Sequence, residues 1–318
     1  MLTKEKILDS VKNVVDQAQL VTIDEEAIDS YAKNFVPTKT VHWSRAYPLG
    51  YKSDRPKEKE IGFLIVLGNQ AFCYWGHPSK WTLEYKGQKL DGWWGNIAAF
   101  ERALEEGNDI SDGNFLADLS LEKTQEIYRG EPETPLLRQR YDLMKALGER
   151  LVEKYQGKFG NFFEEHKKDA LTLVAGLASE LQGFDDVPTY KGKEVYFYKK
   201  TQVVLADLHH LVEPIVGIEE MHGFADYKVP AILRTLGLLK YRRDLAEKVD
   251  NRVELDQGSE EEIEIRASML WACQLLAERL EKRGIKLNQL DLQNVLWIAS
   301  QDKTKLDKPY HLTQTIYY

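Results

Sequence analysis

Helical periodicity dominates the hydrophobic pattern of this chain. Between residues 4 and 18, Ile7, Val11, Val14, Val15 and Ala18 recur at the three- and four-residue spacing that lines one face of a helix. A second helix is expected from about Asp24, with Glu25 and Glu26 favouring its first turn, to the Phe35-Val36-Pro37 stop. Further helical patterns cover about 96–106, 121–129, 134–155, 169–182, 199–213, 229–240, 260–283 and 289–300. The period changes between Ile61 and Leu90. There Phe63-Leu64-Ile65-Val66-Leu67 is a continuous apolar run, Phe72-Cys73-Tyr74-Trp75 is aromatic and Trp81-Thr82-Leu83-Glu84-Tyr85 alternates, which predicts a small antiparallel sheet. Tyr190 to Phe197 reads as a short hairpin. The expectation is a mainly α fold of the α+β class, one domain over 1–318 with its small sheet at about 60–92 packed on a helical body. A split near Gly107-Asn108-Asp109 is the alternative.

Composition narrows the function classes. Hydrophobic residues at 43% and charged residues at 30% are ordinary for a soluble globular protein. A net charge of −8 argues against a polynucleotide partner, which calls for a basic face, but leaves a single nucleotide open. The N-terminus runs into an acidic amphipathic pattern with no apolar signal core, and no apolar run reaches the length of a membrane span. Cys73 and Cys273 are far apart and lack CxxC spacing, so packed, reduced thiols are expected. These features predict a cytoplasmic protein.

Phe224-Ala225-Asp226-Tyr227-Lys228-Val229-Pro230 is the most informative segment. It sets one carboxylate between two rings, ahead of a proline and the apolar helical run Ile232, Leu233, Leu236, Leu239. Proline is favoured in a first helical turn, where its missing N–H costs no hydrogen bond. Asp226 then sits on the loop feeding the helix, where amides and the positive dipole end stabilise an anion. Two readings stay open, a helix-capping aspartate and an acid that stabilises a cation forming on a sugar.

Three other groupings carry chemistry. In the 199–213 helix, Lys200 and Asp207 lie seven apart and share a face, so Asp207 is either half of a buried ion pair or a functional acid. His209 and His210 are adjacent, point to different sides and do not chelate one metal; no metal or cofactor motif occurs in the chain. The rings Trp43, Phe72, Tyr74, Trp75, Trp81, Trp93 and Trp94 either form core or stack on a purine-like base. Arg266, just ahead of the Trp-bearing run Leu270-Trp271-Ala272, pairs with a carboxylate such as Asp207 or Asp226, or binds a phosphate.

Taken together these segments resemble a known family. Tyr196-Phe197-Tyr198-Lys199-Lys200-Thr201-Gln202…Ala206-Asp207 is similar to Phe-Tyr-Lys-Arg-Ala-Gln…Ala-Asp, and Phe224 to Pro230 followed by Leu236-Gly237…Leu239-Lys240-Tyr241 is similar to Phe-Ala-Asp-Tyr-Arg-Leu-Pro…Leu-Gly…Leu-Lys-Tyr. Tyr85-Lys86-Gly87…Gly92-Trp93-Trp94, Glu264-Ile265-Arg266…Leu270-Trp271, Leu296-Trp297 and Ile316-Tyr317-Tyr318 match further blocks. The family is the queuosine salvage proteins, the queuosine 5′-phosphate N-glycosylase/hydrolases. The resemblance implies a helical enzyme similar in fold to helix-hairpin-helix DNA glycosylases. It would cleave queuosine 5′-monophosphate, a small-molecule nucleotide, to queuine and ribose 5-phosphate, with no cofactor and as a monomer. Asp226 is then the first candidate for stabilising the oxocarbenium-like sugar or activating water, and Asp207 the second. Lys199, Lys228 and Tyr227 are candidates for the 5′-phosphate, Arg266 for a phosphate or ion-pair contact, and Phe72, Trp75 and Trp94 for the base.

The chain also departs from the family pattern. Where the family reads Asp-Xaa-Leu-Asn-Phe…Trp, this sequence has Gly68-Asn69-Gln70-Ala71-Phe72…Trp75, so the acid and amide positions are Gly68 and Ala71. His209 replaces a frequent tryptophan, and Ile298 an acidic residue. These changes leave open a protein of altered base specificity, or a non-catalytic binding protein derived from the enzyme.

Overall fold

Oxygen-bearing side chains open several of the helices. Asp24 accepts a hydrogen bond from the Ala27 amide at 2.9 Å, Asp169 from Thr172 at 2.8 Å, Ser259 from Glu262 at 3.2 Å and Asn288 from Asp291 at 2.8 Å, each satisfying a donor that the helix itself leaves open. The computed structural model describes residues 2–39, 42–76, 79–302, 304 and 306–318. Among them it holds fourteen α-helices and three two-stranded antiparallel sheets, a mainly α fold of the α+β class. The expected helices stand as Lys4–Val15, Glu25–Asn34, Gly92–Glu105, Leu121–Ile127, Leu137–Tyr155, Ala170–Glu180, Lys199–Leu211, Lys228–Thr235, Glu260–Glu281 and Gln289–Ala299. The hairpin expected from Tyr190 pairs Thr189–Tyr190 with Lys193–Glu194.

Two expectations are corrected. The run from Ile61 to Leu67 is not a strand but the heart of a helix, Lys57–Asn69, and Phe72 to Trp75 is irregular. Every residue from Glu60 to Asn69 is buried, so the helix is covered all round and shows no amphipathic period. A short apolar run of this kind reads alike as buried strand or buried helix. Of the sheet expected at about 60–92, only Thr82–Tyr85 and Gln88–Asp91 are strands; residues 77 and 78 lie outside the described set. Their hairpin turns at Lys86-Gly87, both at positive φ (48° and 74°), as a tight two-residue turn demands. The helix expected to reach residue 240 ends at Thr235. Gly237 takes φ +76° there, and Leu239–Tyr241 then pairs as a strand with Val21–Ile23.

The chain gathers into two compact units, and neither has a boundary at 107–109. The first comprises Met1–Gly50, Asp186–Gln202 and Gly217–Gln314; the second comprises Tyr51–Asp185, Val203–Val216 and Thr315–Tyr318. The core of the first forms around the Glu260–Glu281 helix, where Ile263, Ile265, Met269, Cys273 and Leu276 meet Val11, Val14, Ile28, Val229 and Leu233. In the second, Phe63, Phe100 and Tyr128 pack edge to face, with ring centroids 6.3 and 5.7 Å apart. Arg140 is fully buried there and donates to the carbonyls of Gln70 at 3.0 Å, Phe72 at 2.7 Å and Pro135 at 3.0 Å. Both cysteines are buried free thiols, as expected. No helix among the described residues is long and apolar enough to cross a membrane.

Candidate active site

In the first unit the irregular stretch from His222 to Tyr227 is fixed by side chains reaching it from three helices. Gly223 sits at φ +91°, a conformation that favours glycine, and a Cβ there would lie 2.1 Å from Gln293 Nε2 and push that amide aside. Gln293 donates to the His222 carbonyl at 3.0 Å and accepts from the Phe224 amide at 2.6 Å. Gln202 accepts from the Gly223 amide at 3.4 Å, and Arg266 Nε donates to the Ala225 carbonyl at 2.9 Å. The Asp226 amide turns back on the Phe224 carbonyl at 2.7 Å. These bonds satisfy backbone groups that an irregular buried segment cannot pair within itself.

Asp226 projects from this loop with 7% of its surface exposed. Its Oδ1 accepts from the amides of Lys228 at 3.1 Å and Val229 at 3.0 Å, the first turn of the Lys228–Thr235 helix that Pro230 also occupies. The capping geometry is therefore realised, and Oδ2 lies outside those two bonds. Burial pushes the carboxyl above its ordinary pKa, while Lys199, the two amides and Lys228 pull it down. Desolvation prevails, leaving a carboxylate that is held in place and avid for a proton.

Lys199, 8% exposed, is the first residue of the Lys199–Leu211 helix. Its amide donates to Asp186 Oδ2 at 3.3 Å, and the Asp186 carbonyl accepts from the Phe197 and Tyr198 amides at 3.1 Å each. Arg266 is engaged in buried ion pairs, the first of the two readings its sequence position allowed. Its guanidinium donates through Nη1 to Asp186 Oδ1 at 3.2 Å and Glu262 Oε1 at 2.9 Å, and through Nη2 to Asp186 Oδ2. The guanidinium is 4.0 Å from the centre of the Phe197 ring, a cation–π contact. The carboxylates it pairs with here are Asp186 and Glu262. The Glu262–Arg266 pair, four apart on one helix, was open to a reading of spacing; Asp186, Gln202 and Gln293 carry no local signal.

Tyr227 is buried with its ring 5.0 Å from that of Tyr310, and the half-buried Lys228 holds its ammonium 5.1 Å from the same Tyr310 ring. Arg252 lies on Tyr310 as well, at 4.4 Å. His222 behind the loop meets the Phe197 carbonyl through Nε2 at 3.0 Å and the Gln202 amide nitrogen through Nδ1 at 3.1 Å, which places its proton on Nε2. Burial lowers that imidazole to about 4, so it is neutral.

The second unit holds the remaining sequence candidates. Asp207 is 1% exposed, and its charge adds to the burial and to Glu60 in pushing the Tyr51 phenol upward. Tyr51 donates to Glu60 Oε1 at 2.6 Å and accepts from Arg55 Nη2 at 2.7 Å, while Arg55 Nε donates to Glu60 Oε2 at 2.7 Å. Phe72 has no exposed surface and lies 4.2 Å from the Arg140 guanidinium, so the ring expected to meet a base is core. Trp75 is 5% exposed, and Trp94, in the first turn of Gly92–Glu105, is half-buried. The family departures have structural counterparts. A Cβ at Gly68 would lie 2.3 Å from Val204 Cγ2, so the helix at this point has no room for a side chain. His209 accepts from the Ile215 amide at 3.0 Å, closing the end of its helix.

Comparison with known proteins fixes the lineage. Residues 50–318 match the family model described as queuosine salvage protein. The chain is similar to the queuosine 5′-phosphate N-glycosylase/hydrolase of Sphaerobacter thermophilus, 34% identical over 98% of this chain and 97% of that protein. It is likewise similar to the proteins of that name from Mus musculus, 27% identical over 98% of each chain, and Schizosaccharomyces pombe, 27% identical over 80% of each. This chain belongs to the queuosine salvage protein family.

Proposed function

We propose that this chain hydrolyses the N-glycosidic bond of queuosine 5′-phosphate, releasing queuine for return to tRNA and leaving ribose 5-phosphate. The observation that carries the reading is Asp226, a buried carboxylate fixed by two backbone amides beside Lys199 in a family whose similar members bear that activity in their names. The bond between the anomeric carbon and the base nitrogen breaks with its electron pair going to the base. Positive charge builds on the sugar as it does so. A fixed carboxylate stabilises that charge without reorganising, the usual source of the largest catalytic contribution. Water then adds to the anomeric carbon, and a carboxylate whose proton affinity is raised by burial is suited to take its proton and return it to the nitrogen of the departing base, which leaves as neutral queuine. A 7-deazapurine has carbon in place of N7 and offers no proton-accepting nitrogen there, which puts more weight on stabilising the sugar.

The 5′-phosphate would be met by Lys228 and Tyr227, with Lys199 contributing positive charge. Binding energy gained at a remote phosphate holds the ribose in reacting geometry. The base contacts expected of Trp75 and Trp94, and the supporting role of Asp207, rest on the family resemblance. Water is the co-substrate and the scheme calls for no cofactor. We take the protein to act as a cytoplasmic monomer; its net charge of −8 supports the free nucleotide over a polynucleotide as substrate.

Purified protein incubated with queuosine 5′-phosphate is expected to yield queuine and ribose 5-phosphate in equal amounts by chromatography, and to release queuine far more slowly from the unphosphorylated nucleoside. Persistence of intact nucleotide would refute the proposal.

A further inference from the structure

We propose that Arg266 is a positioning residue that sets Asp226 and Lys199 at their working places from one buried guanidinium. The proposal rests on Asp226 being the acting carboxylate. The path is short and continuous. Arg266 Nε binds the carbonyl of Ala225, the residue bonded directly to Asp226, at 2.9 Å. On its other edge the guanidinium grips both oxygens of Asp186, whose Oδ2 in turn accepts from the Lys199 amide at 3.3 Å. Glu262 fixes Nη1 at 2.9 Å, and the Phe197 ring at 4.0 Å sets the plane of the group. A displacement of the guanidinium therefore moves the acid and the lysine together.

Only arginine fits this place. Its planar fork serves the carbonyl with Nε and the carboxylates with Nη1 and Nη2, whereas a lysine ammonium is a point charge that reaches fewer of them. The group is buried, with Arg266 2% exposed and Asp186 and Glu262 each 1% exposed. Helix starts favour both carboxylates. Glu262 lies in the first turn of Glu260–Glu281, and Asp186 binds the first amide of Lys199–Leu211.

The same helix supplies a comparator. Glu264 is fully buried and accepts from the amides of Gln19, Leu20 and Val21 at 3.0, 2.7 and 3.3 Å and from the Tyr190 hydroxyl at 2.9 Å. It bonds neither the Ala225–Asp226 peptide nor Asp186, so it anchors the fold without aiming the site.

The test compares Arg266→Lys with Glu264→Gln, measuring kcat and KM for queuosine 5′-phosphate per folded molecule, melting temperature, and amide exchange. Arg266→Lys is expected to lower kcat on the order of 10²-fold, as misplacement of reacting groups by about 1 Å does, with KM moving far less. Exchange should quicken at the Lys199, Lys228 and Val229 amides. Glu264→Gln should lower the melting temperature and quicken exchange at residues 19–21, with kcat near wild type. An Arg266→Lys enzyme within about twofold of wild-type kcat overturns the proposal, as does a Glu264→Gln enzyme that loses kcat equally. If the wild-type protein releases no queuine, the functional reading fails by itself, and the exchange pattern still decides whether Arg266 holds the two segments. Identical exchange in the two variants rejects the clamp.

Discussion

The Lys57–Asn69 helix and the His222–Tyr227 loop are both buried, yet opposite forces hold them. The helix presents Phe63, Leu64, Ile65, Val66 and Leu67 with no exposed surface, and its apolar burial drives folding wherever such a helix is covered. The loop is held by hydrogen bonds from Gln202, Gln293 and Arg266, and it carries a carboxylate that burial disfavours as an anion. Stability should therefore concentrate in the first region and activity in the second, each obtained at some cost to the other property.

That contrast is open to test from both sides. Leu64→Ala, which empties a fully buried site, should destabilise the protein by about 2–5 kcal/mol in denaturant unfolding, with queuine release per folded molecule unchanged. The opposite pattern is expected for Asp226→Asn. A carboxyl whose folded pKa lies above its unfolded value favours the folded state when protonated, and this contribution is lost as pH rises through the folded pKa. Removing the charge should thus raise the melting temperature at neutral pH, and the gain should vanish in acid where the wild-type group is already protonated. A smaller effect concerns His222 behind the loop. The unfolded imidazole takes a proton near 6.5 and the folded one only at about 4. Stability from this group is full above 6.5 and falls as pH drops toward 4, so His222→Gln should flatten the melting-temperature profile across that interval.

The same two regions explain what the sequence disclosed. Asp226, Pro230 and the first apolar positions after them, Ile232 and Leu233, follow one another closely in sequence, so loop, cap and helix start were legible from local spacing. Asp186 meets Arg266 across 80 residues, and neither position signals the other. Without that partner in view, Arg266 read as half of an ion pair whose carboxylate was not identified, or as a phosphate contact. The Lys57–Asn69 helix was taken for strand because its burial on every side erases the periodicity by which helices are recognised. Phe72 was offered to the base for a related reason. A ring covered by Arg140 and a ring facing a ligand are indistinguishable in sequence. The strand Leu239–Tyr241 escaped notice since its partner, Val21–Ile23, lies near the other end of the chain.

The most direct measurement is the single-turnover rate of queuine release from queuosine 5′-phosphate by Asp226→Asn beside the wild type, with nucleotide affinity determined on the same samples. The account predicts a loss on the order of 10³-fold or more in rate with affinity largely retained, since a neutral amide keeps the shape but gives up the charge that meets the sugar cation. A variant that releases queuine within about tenfold of wild type would contradict it and move the chemistry to another residue.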